Sequence, residues 1–327
     1  MIGAGAFGTA LAIQLSRRGA ATFLWGRDAT TMATMQESRE NPRYLRGCAF
    51  PAPLVATADL AGAVRQSGDL LVATPSPALR ETCDRLQPLV QPDQGVACAC
   101  KGLEPGTGRF AHEVIGEVLG AAHPVAIVSG PTFAKELGLG LPTAVTVAST
   151  DEAFAARIAA ALHGDGFRAY TSSDVVGVEI GGAAKNVLAI AVGVADGLGL
   201  GANTRAAMIT RGLNEMRRLG AALGAQPDTL MGLSGLGDLV LTCTDNQSRN
   251  RRYGLLLGQG HTPQQALAAI EGVVEGLRAA PGVLHLARRE GVELPLLEMA
   301  CAVIAGTVTP VEALKRLAER PQRAEAG

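Results

Sequence analysis

Aromatic side chains are scarce in this chain, at 3% of 327 residues, while glycine is abundant at 41. That balance suits strands and helices whose backbones approach closely. An excess of either charge is also missing: 29 Lys and Arg face 30 Asp and Glu, for a formal net charge of −1. No basic field is present to attract nucleic acid, and there is no acidic tail. No uninterrupted apolar run approaches the ~18 residues of a membrane span. Val187–Val194 comes closest, and Asp196 interrupts its continuation, so no membrane insertion is expected. No export signal is expected either. The first twenty residues are apolar, but Arg17 and Arg18 come after the apolar stretch instead of before it. The six cysteines (48, 83, 98, 100, 243 and 301) show no zinc or haem spacing. Cys98-Ala-Cys100 alternates within an apparent strand, so both thiols point to one face as small hydrophobes. A reduced, cytoplasmic setting without a metal fits best.

What is present divides the chain in two. Its length accommodates two domains of ordinary size. Up to about residue 172, short apolar runs alternate with amphipathic segments. Residues 21–25, 70–74, 96–100, 125–128, 144–148 and 167–171 read as strands, and 9–18 and 109–119 as helices. This alternation predicts a parallel, doubly wound α/β sheet over 1–172. From 173 to 327 long segments at helical period take over. Helices are expected over 176–194, 204–223, 262–270, 274–278, 282–289, 295–305 and 311–320, giving an all-helical second domain. No internal repeat is evident, and Pro321–Gly327 reads as a frayed tail.

Gly3-Ala4-Gly5-Ala6-Phe7-Gly8 opens the first helix. In a Rossmann unit the first glycine makes the turn, the second lets a pyrophosphate approach and the third allows helix–strand packing. The helix N-terminus then offers N–H groups to the anion. A Rossmann-like domain binding NAD or NADP is the reading. Arg27 stands past the following strand, where the ribose is read. It either pairs with a 2′-phosphate and stacks on adenine or is an exposed turn residue. NADPH is favoured and NAD accommodated. Only Met1 and Ile2 precede the loop, whereas a feeding strand takes about five residues. The first strand is therefore expected to be truncated, or the native chain to begin upstream.

In the second half, Glu179-Ile-Gly-Gly-Ala-Ala-Lys185-Asn186 sets a lysine among small and apolar residues. On a helix, positions 178, 181, 182, 185, 188 and 189 share one face. An ammonium on such a stripe costs free energy. It either snorkels to water or has a chemical task, and the neighbouring glycines leave room for a substrate.

Further blocks follow in order: Lys101-Gly-Leu-Glu104, Gly130-Pro-Thr132-Phe-Ala-Lys-Glu136, Gly201-Ala-Asn-Thr-Arg205, Gly235-Leu-Gly-Asp238-Leu-Val-Leu-Thr242 and Asn246-Gln-Ser248-Arg249-Asn250-Arg251. Together with the glycine loop and Lys185 they closely resemble the bacterial-type NAD(P)-dependent glycerol-3-phosphate dehydrogenases, from residue 2 to about residue 310. The resemblance implies reversible hydride transfer between sn-glycerol 3-phosphate and dihydroxyacetone phosphate, running towards reduction and supplying phospholipid synthesis. It implies Lys185, Lys101 and Asp238 as the catalytic residues, with Lys185 the proton donor, its pKa lowered by burial and by Lys101. Asp238 is implied to orient Lys185 by a charge-assisted hydrogen bond; its plainer role as a helix cap is compatible with that, and both are kept. Lys101, Gly130, Thr132, Asn186, Asp238, Thr242, Ser248, Arg249 and Asn250 are implied to line the substrate site, with Arg249 and Asn250 on the phosphate. Gly3, Gly5, Ala6, Phe7, Gly8, Arg27, Lys101, Ala134, Arg249, Val273 and Glu275 are implied to meet the cofactor. Read without the resemblance, Asn246–Arg252 is a polar loop and Glu275 a solvated helix charge. The five histidines fall in none of these blocks and read as structural or exposed. A homodimer is expected. Two other readings stand beside this one: a hydroxyacid or ketoacid reductase of the same two-domain plan, and a non-catalytic dinucleotide sensor.

Overall fold

The computed structural model describes residues 1–321. The frayed tail expected at Pro321–Gly327 lies, beyond Pro321, outside the described residues. In chain order the elements are α1 (Ala6–Arg17), β1 (Thr22–Trp25), α2 (Ala29–Ser38), β2 (Leu54–Thr57), α3 (Leu60–Arg65), β3 (Leu70–Val72), α4 (Leu79–Leu86), β4 (Val96–Cys98), α5 (Ala111–Leu119), β5 (Val125–Ser129), α6 (Ala134–Leu139), β6 (Thr143–Ala148), α7 (Glu152–Leu162) and β7 (Phe167–Ser172). The remainder is helical: α8 (Val175–Gly197), α9 (Gly201–Ala222), α10 (Pro227–Met231), α11 (Asp238–Thr244), α12 (Arg249–Gly258), α13 (Pro263–Ala268), α14 (Glu275–Arg289), α15 (Pro295–Ile304) and α16 (Pro310–Ala318). A single π-turn, Leu233–Gly237, leads into α11.

Strands β1 and β2 pair with each other, and β3 to β7 form a ladder in sequence order. Residues 1–3 stand where the first strand is expected and join the two parts. Ile2 bridges Trp25 and Val72 in parallel, with Ile2 N donating to Leu71 O at 2.8 Å and Trp25 N to Met1 O at 2.9 Å. Alternate residues of β4 enter cores on opposite faces of the sheet. Ala97 joins Leu11, Val128 and Phe154. Val96, Cys98 and Cys100 join Cys83, Val114 and Ile127, so the two thiols do share a face.

Four differences from the expected elements have physical causes. The sheet is mixed: β6 runs antiparallel to β5, with Val128 opposite Val147. The six-residue α6 between them advances only ~9 Å, too little to carry the chain back across the sheet for a parallel return. Strand β2 was not expected: its apolar run, Leu54-Val55-Ala56, is short and follows directly on Pro51 and Pro53. The segments 274–278 and 282–289 form one helix, α14, with Pro281 inside it. An interior proline costs about 3 kcal/mol; here the burial of Ala279, Ala280, Val283, Leu286 and Ala287 offsets it. Finally, Arg249–Gly258 is helical although Asn246–Arg252 is wholly polar. Ser248 caps it, accepting from Arg251 N at 3.2 Å, and Tyr253 and Leu257 supply its buried side.

Helix α8 organises the second half. Asp174 caps it by accepting from Gly177 N at 2.8 Å, and Leu188, Val192, Met216, Leu239 and Leu297 form the core around it. By length and composition α8 could cross a membrane, yet 94% of its most apolar window is buried in the protein, as in the core helix of a globular domain. It also meets the first half. Glu179 accepts from the backbone N–H of His112, at 3.2 Å, and from its ring. Burial drives the Glu179 carboxyl up against the opposing pull of His112. His112, expected to be structural or exposed, is therefore a link between α5 and α8.

Candidate active site

Three buried charges from three distant segments meet where α8 faces the sheet. Lys185, at mid-helix in α8, donates to Asp238 Oδ1 at 2.5 Å and to Thr242 Oγ1 at 2.9 Å. Lys101, just past β4, donates to Asp238 Oδ2 at 2.8 Å and to the Gly130 carbonyl at 3.0 Å. Side-chain exposures are 7% for Lys185, 10% for Lys101 and 1% for Asp238, so the lysine on the apolar stripe does not snorkel. Asp238 is the first residue of α11, with Gly237 as its cap. Its carboxylate serves the two lysines instead of the backbone, which corrects the cap reading.

The electrostatics follow from this packing. Burial lowers the Lys185 pKa and Lys101 lowers it further; Asp238 opposes both, leaving it at about 8. Burial pushes the Asp238 carboxyl up, but the two ammonium groups outweigh it and hold it below the ordinary range. Two cations and one anion leave an excess positive charge, suited to an incoming anion. Each ammonium has three hydrogens and directs two at the protein, so each keeps one for a ligand.

A second string of bonds runs from Lys185's neighbour. Asn186 Nδ2 donates to Gly182 O and to Glu275 Oε2, both at 3.3 Å. Asn186 Oδ1 accepts from Asn250 Nδ2 at 2.8 Å, and Asn250 Oδ1 accepts from Gly276 N at 2.8 Å. Both amide hydrogens of Asn186 are thus engaged within the protein, and Asn250 keeps one. Glu275 is not simply a solvated helix charge. Arg249 is exposed at the start of α12 and lies against the backbone of Gly272. A Cβ placed on that glycine would stand 3.1 Å from Arg249 Cζ, so the segment leading through Val273 to Glu275 borders the arginine. Thr132 Oγ1 is buried and has no partner among the described residues.

The glycine loop fits a dinucleotide. Gly3 has φ +112°, a Cβ on Gly8 would stand 2.0 Å from the Gly3 carbonyl oxygen, and a Cβ on Gly5 would meet nothing within 4 Å. Turn, open approach and close packing fall on Gly3, Gly5 and Gly8, in the order the motif requires. Ala6 and Phe7 begin α1. The Phe7 ring lies 5.6 Å from Lys101 Nζ, a cation–π contact that joins the loop to the lysine cluster. Arg27 is exposed beyond β1. Ala134 starts α6 and packs on the N-terminal core.

One network was not foreseen. Asp196 holds Arg205 and Arg251. The available signal was an aspartate breaking the apolar run of α8, which sequence reading used only to argue against a membrane span.

Two family models match: the NAD-dependent glycerol-3-phosphate dehydrogenase N-terminus over residues 1–155, and its C-terminus over residues 174–315. A Stenotrophomonas maltophilia protein named glycerol-3-phosphate dehydrogenase (NAD(P)+) is 55% identical over 99% of this chain and 95% of its own length. The crystal structure of a glycerol-3-phosphate dehydrogenase from Coxiella burnetii superposes with a TM-score of 0.93 at 44% identity, covering 98% of each chain. That of the Saccharomyces cerevisiae enzyme, at 24% identity and a TM-score of 0.84 over 97% of this chain and 98% of its own, shares the fold.

Proposed function

The chain belongs to the NAD-dependent glycerol-3-phosphate dehydrogenase family, and from that premise we propose how its residues perform the reaction. It is an NAD(P)-dependent oxidoreductase that interconverts dihydroxyacetone phosphate and sn-glycerol 3-phosphate. In our reading residues 1–172 hold the dinucleotide, and residues 173–327 carry most of the substrate chemistry. The bound nicotinamide supplies the hydride.

Lys185 gives the proton to the developing alkoxide through the hydrogen it does not direct at Asp238 or Thr242. Asp238 orients Lys185 and Lys101 and carries their counter-charge. Lys101 faces the carbonyl oxygen from the cofactor side, with Phe7 beneath it. Arg249, Ser248 and the free N–H of Asn250 take the phosphate at the N-terminus of α12. Asn186 aligns α8, α12 and the start of α14. Gly130 and Thr132 border the substrate, and Ala134, Val273, Glu275 and Arg27 the cofactor. We place the enzyme in the cytoplasm as a homodimer that supplies glycerol phosphate for phospholipids; a single-chain mass in solution would refute the dimer.

The observation that carries the reading is the buried Lys185–Asp238–Lys101 cluster, joined through Phe7 to an open glycine loop. A ketoacid substrate would leave Ser248 and Arg249 without a phosphate to bind, and a sensor has no use for a buried lysine titrating at about 8. The test is oxidation of NADPH and NADH with dihydroxyacetone phosphate, against ketoacid controls. Lys185→Ala should lower kcat by about 10²–10⁴-fold, the usual span for general acid catalysis. Preference for a ketoacid, or near-normal turnover by the variant, would refute the assignment.

A further inference from the structure

The blocks around Arg205 and Asn246–Arg251 hold charged residues that the proposed chemistry does not use. Asp196 lies near the end of α8 with its side chain 4% exposed. Its Oδ1 accepts from Arg205 Nε at 2.9 Å, and its Oδ2 from Arg251 Nη2 at 2.6 Å. The other arm of the Arg251 guanidinium donates to Asn246 Oδ1 in a short contact. The Arg251 backbone N–H donates to Ser248 Oγ at 3.2 Å. One buried guanidinium thus grips the loop before Arg249 with one arm and α8 with the other. The backbones are seated at the same place. A Cβ on Gly193 would stand 2.1 Å from the Arg251 carbonyl oxygen, and one on Gly254 2.0 Å from that of Ile190. Nothing can shift the start of α12 along α8 without breaking these contacts. Arg249, two residues from Arg251, is exposed and has no ion pair among the described residues. Its aim is set by the backbone beneath it.

We propose that Asp196, Arg251 and Asn246 form a clamp that aims the Arg249 guanidinium at the substrate phosphate, as positioning residues for the phosphate end of the substrate. The inference rests on the glycerol-phosphate reading above. Planar, two-armed geometry explains why the clamp residue is arginine, since a lysine is a point donor and cannot hold both acceptors in one orientation. Arg205 neutralises the second face of Asp196, so that loosening Arg251 does not bare an unpaired buried charge.

Three variants test the clamp: Asn246→Ala, Asn246→Asp and Asp196→Asn, each assayed with dihydroxyacetone phosphate and with unphosphorylated dihydroxyacetone. Asn246 is exposed, and its truncation should leave folding intact even if Asp196→Asn does not fold. A misaimed charge-assisted contact predicts a rise in KM for dihydroxyacetone phosphate of about tenfold in Asn246→Ala and about 10–100-fold in Asp196→Asn. In both, kcat should stay within about threefold, and kcat/KM for dihydroxyacetone should be unchanged. Asn246→Asp, which still accepts from the guanidinium, should restore KM. Equal losses on both substrates, a fall in kcat at unchanged KM, or wild-type kinetics in Asn246→Ala would each overturn the clamp. A wild-type enzyme that does not prefer the phosphorylated substrate would instead sink the functional reading itself.

Discussion

Replacing Asp238 by asparagine gives the sharpest test of the charge cluster, because the two side chains have nearly the same shape. The wild-type carboxylate is 1% exposed and sits 2.5 Å from one ammonium and 2.8 Å from another. Each contact is worth several kcal/mol of Coulomb attraction at an effective dielectric of about 20, before desolvation is subtracted. Removing one partner of such a buried arrangement costs about 3–5 kcal/mol, since the remaining charges lose their compensation. The same loss appears in the titration of Lys185. Its pKa stands at about 8 with Asp238 opposing burial and Lys101. A nearby opposite charge favours the charged form of an ammonium, so Asp238→Asn should bring Lys185 further down from about 8. Reduction needs Lys185 protonated. In the wild type, kcat for dihydroxyacetone phosphate reduction should be flat below about pH 8 and fall about tenfold per pH unit above it. In Asp238→Asn the fall should begin at a lower pH than in the wild type, with part of the lost rate recovered on acidification. Oxidation of glycerol 3-phosphate needs the neutral amine and should show the opposite slope. The assay is initial rate at saturating substrate from pH 5 to 9, in buffers of constant ionic strength, beside a melting curve at each pH. An unchanged break, or one displaced to alkaline pH, would refute the account of Asp238 as the counter-charge of Lys185.

Three other outcomes follow from single features. Arg27→Asp should raise KM for NADPH sharply and largely spare NADH, because a carboxylate past β1 repels a 2′-phosphate but accepts from a 2′-hydroxyl; equal effects on both cofactors would leave Arg27 only a stacking role. Gly254→Ala should lower stability by about 1–3 kcal/mol, since the added methyl would lie 2.0 Å from the Ile190 carbonyl oxygen, and an unchanged melting temperature would refute the close seating of α12 on α8. Buried Glu215 accepts from Leu296 N at 2.7 Å and Leu297 N at 3.0 Å; burial, opposed by those donors, pushes its carboxyl from 4.5 up to about 7. A carboxyl raised on folding binds its proton more tightly in the native state, so its contribution falls as pH rises from about 4.5 through 7, by up to about 3 kcal/mol. Glu215→Gln should therefore flatten the decline of melting temperature over that window, and an unaltered slope would count against it.

Much of this molecule was legible in its order of residues because the deciding forces are local. Helix α8 was expected from its periodicity, and Asp174 caps it; such a cap needs only a few neighbouring residues. The Gly3–Gly8 loop is equally self-contained: one turn, one open approach and one close contact within six residues. Burial of Lys185 could be expected from the apolar face it shares. Tertiary packing decided the rest. Whether β6 ran with or against β5 depended on how far α6 could carry the chain, and whether Pro281 ended a helix depended on what its neighbours could bury. Asp238 was read both as a cap and as the partner of Lys185, and packing gave its carboxylate to two ammonium groups. Glu275 and Asp196 looked like solvated or interrupting charges until Asn186 and Arg251 met them. Lys101 and Asp238 are 137 residues apart, and Lys185 and Asp238 are 53 apart. A buried charge must find its partner in space, and no local pattern names a partner that only the packing of α8 against the sheet and α11 brings within hydrogen-bonding distance.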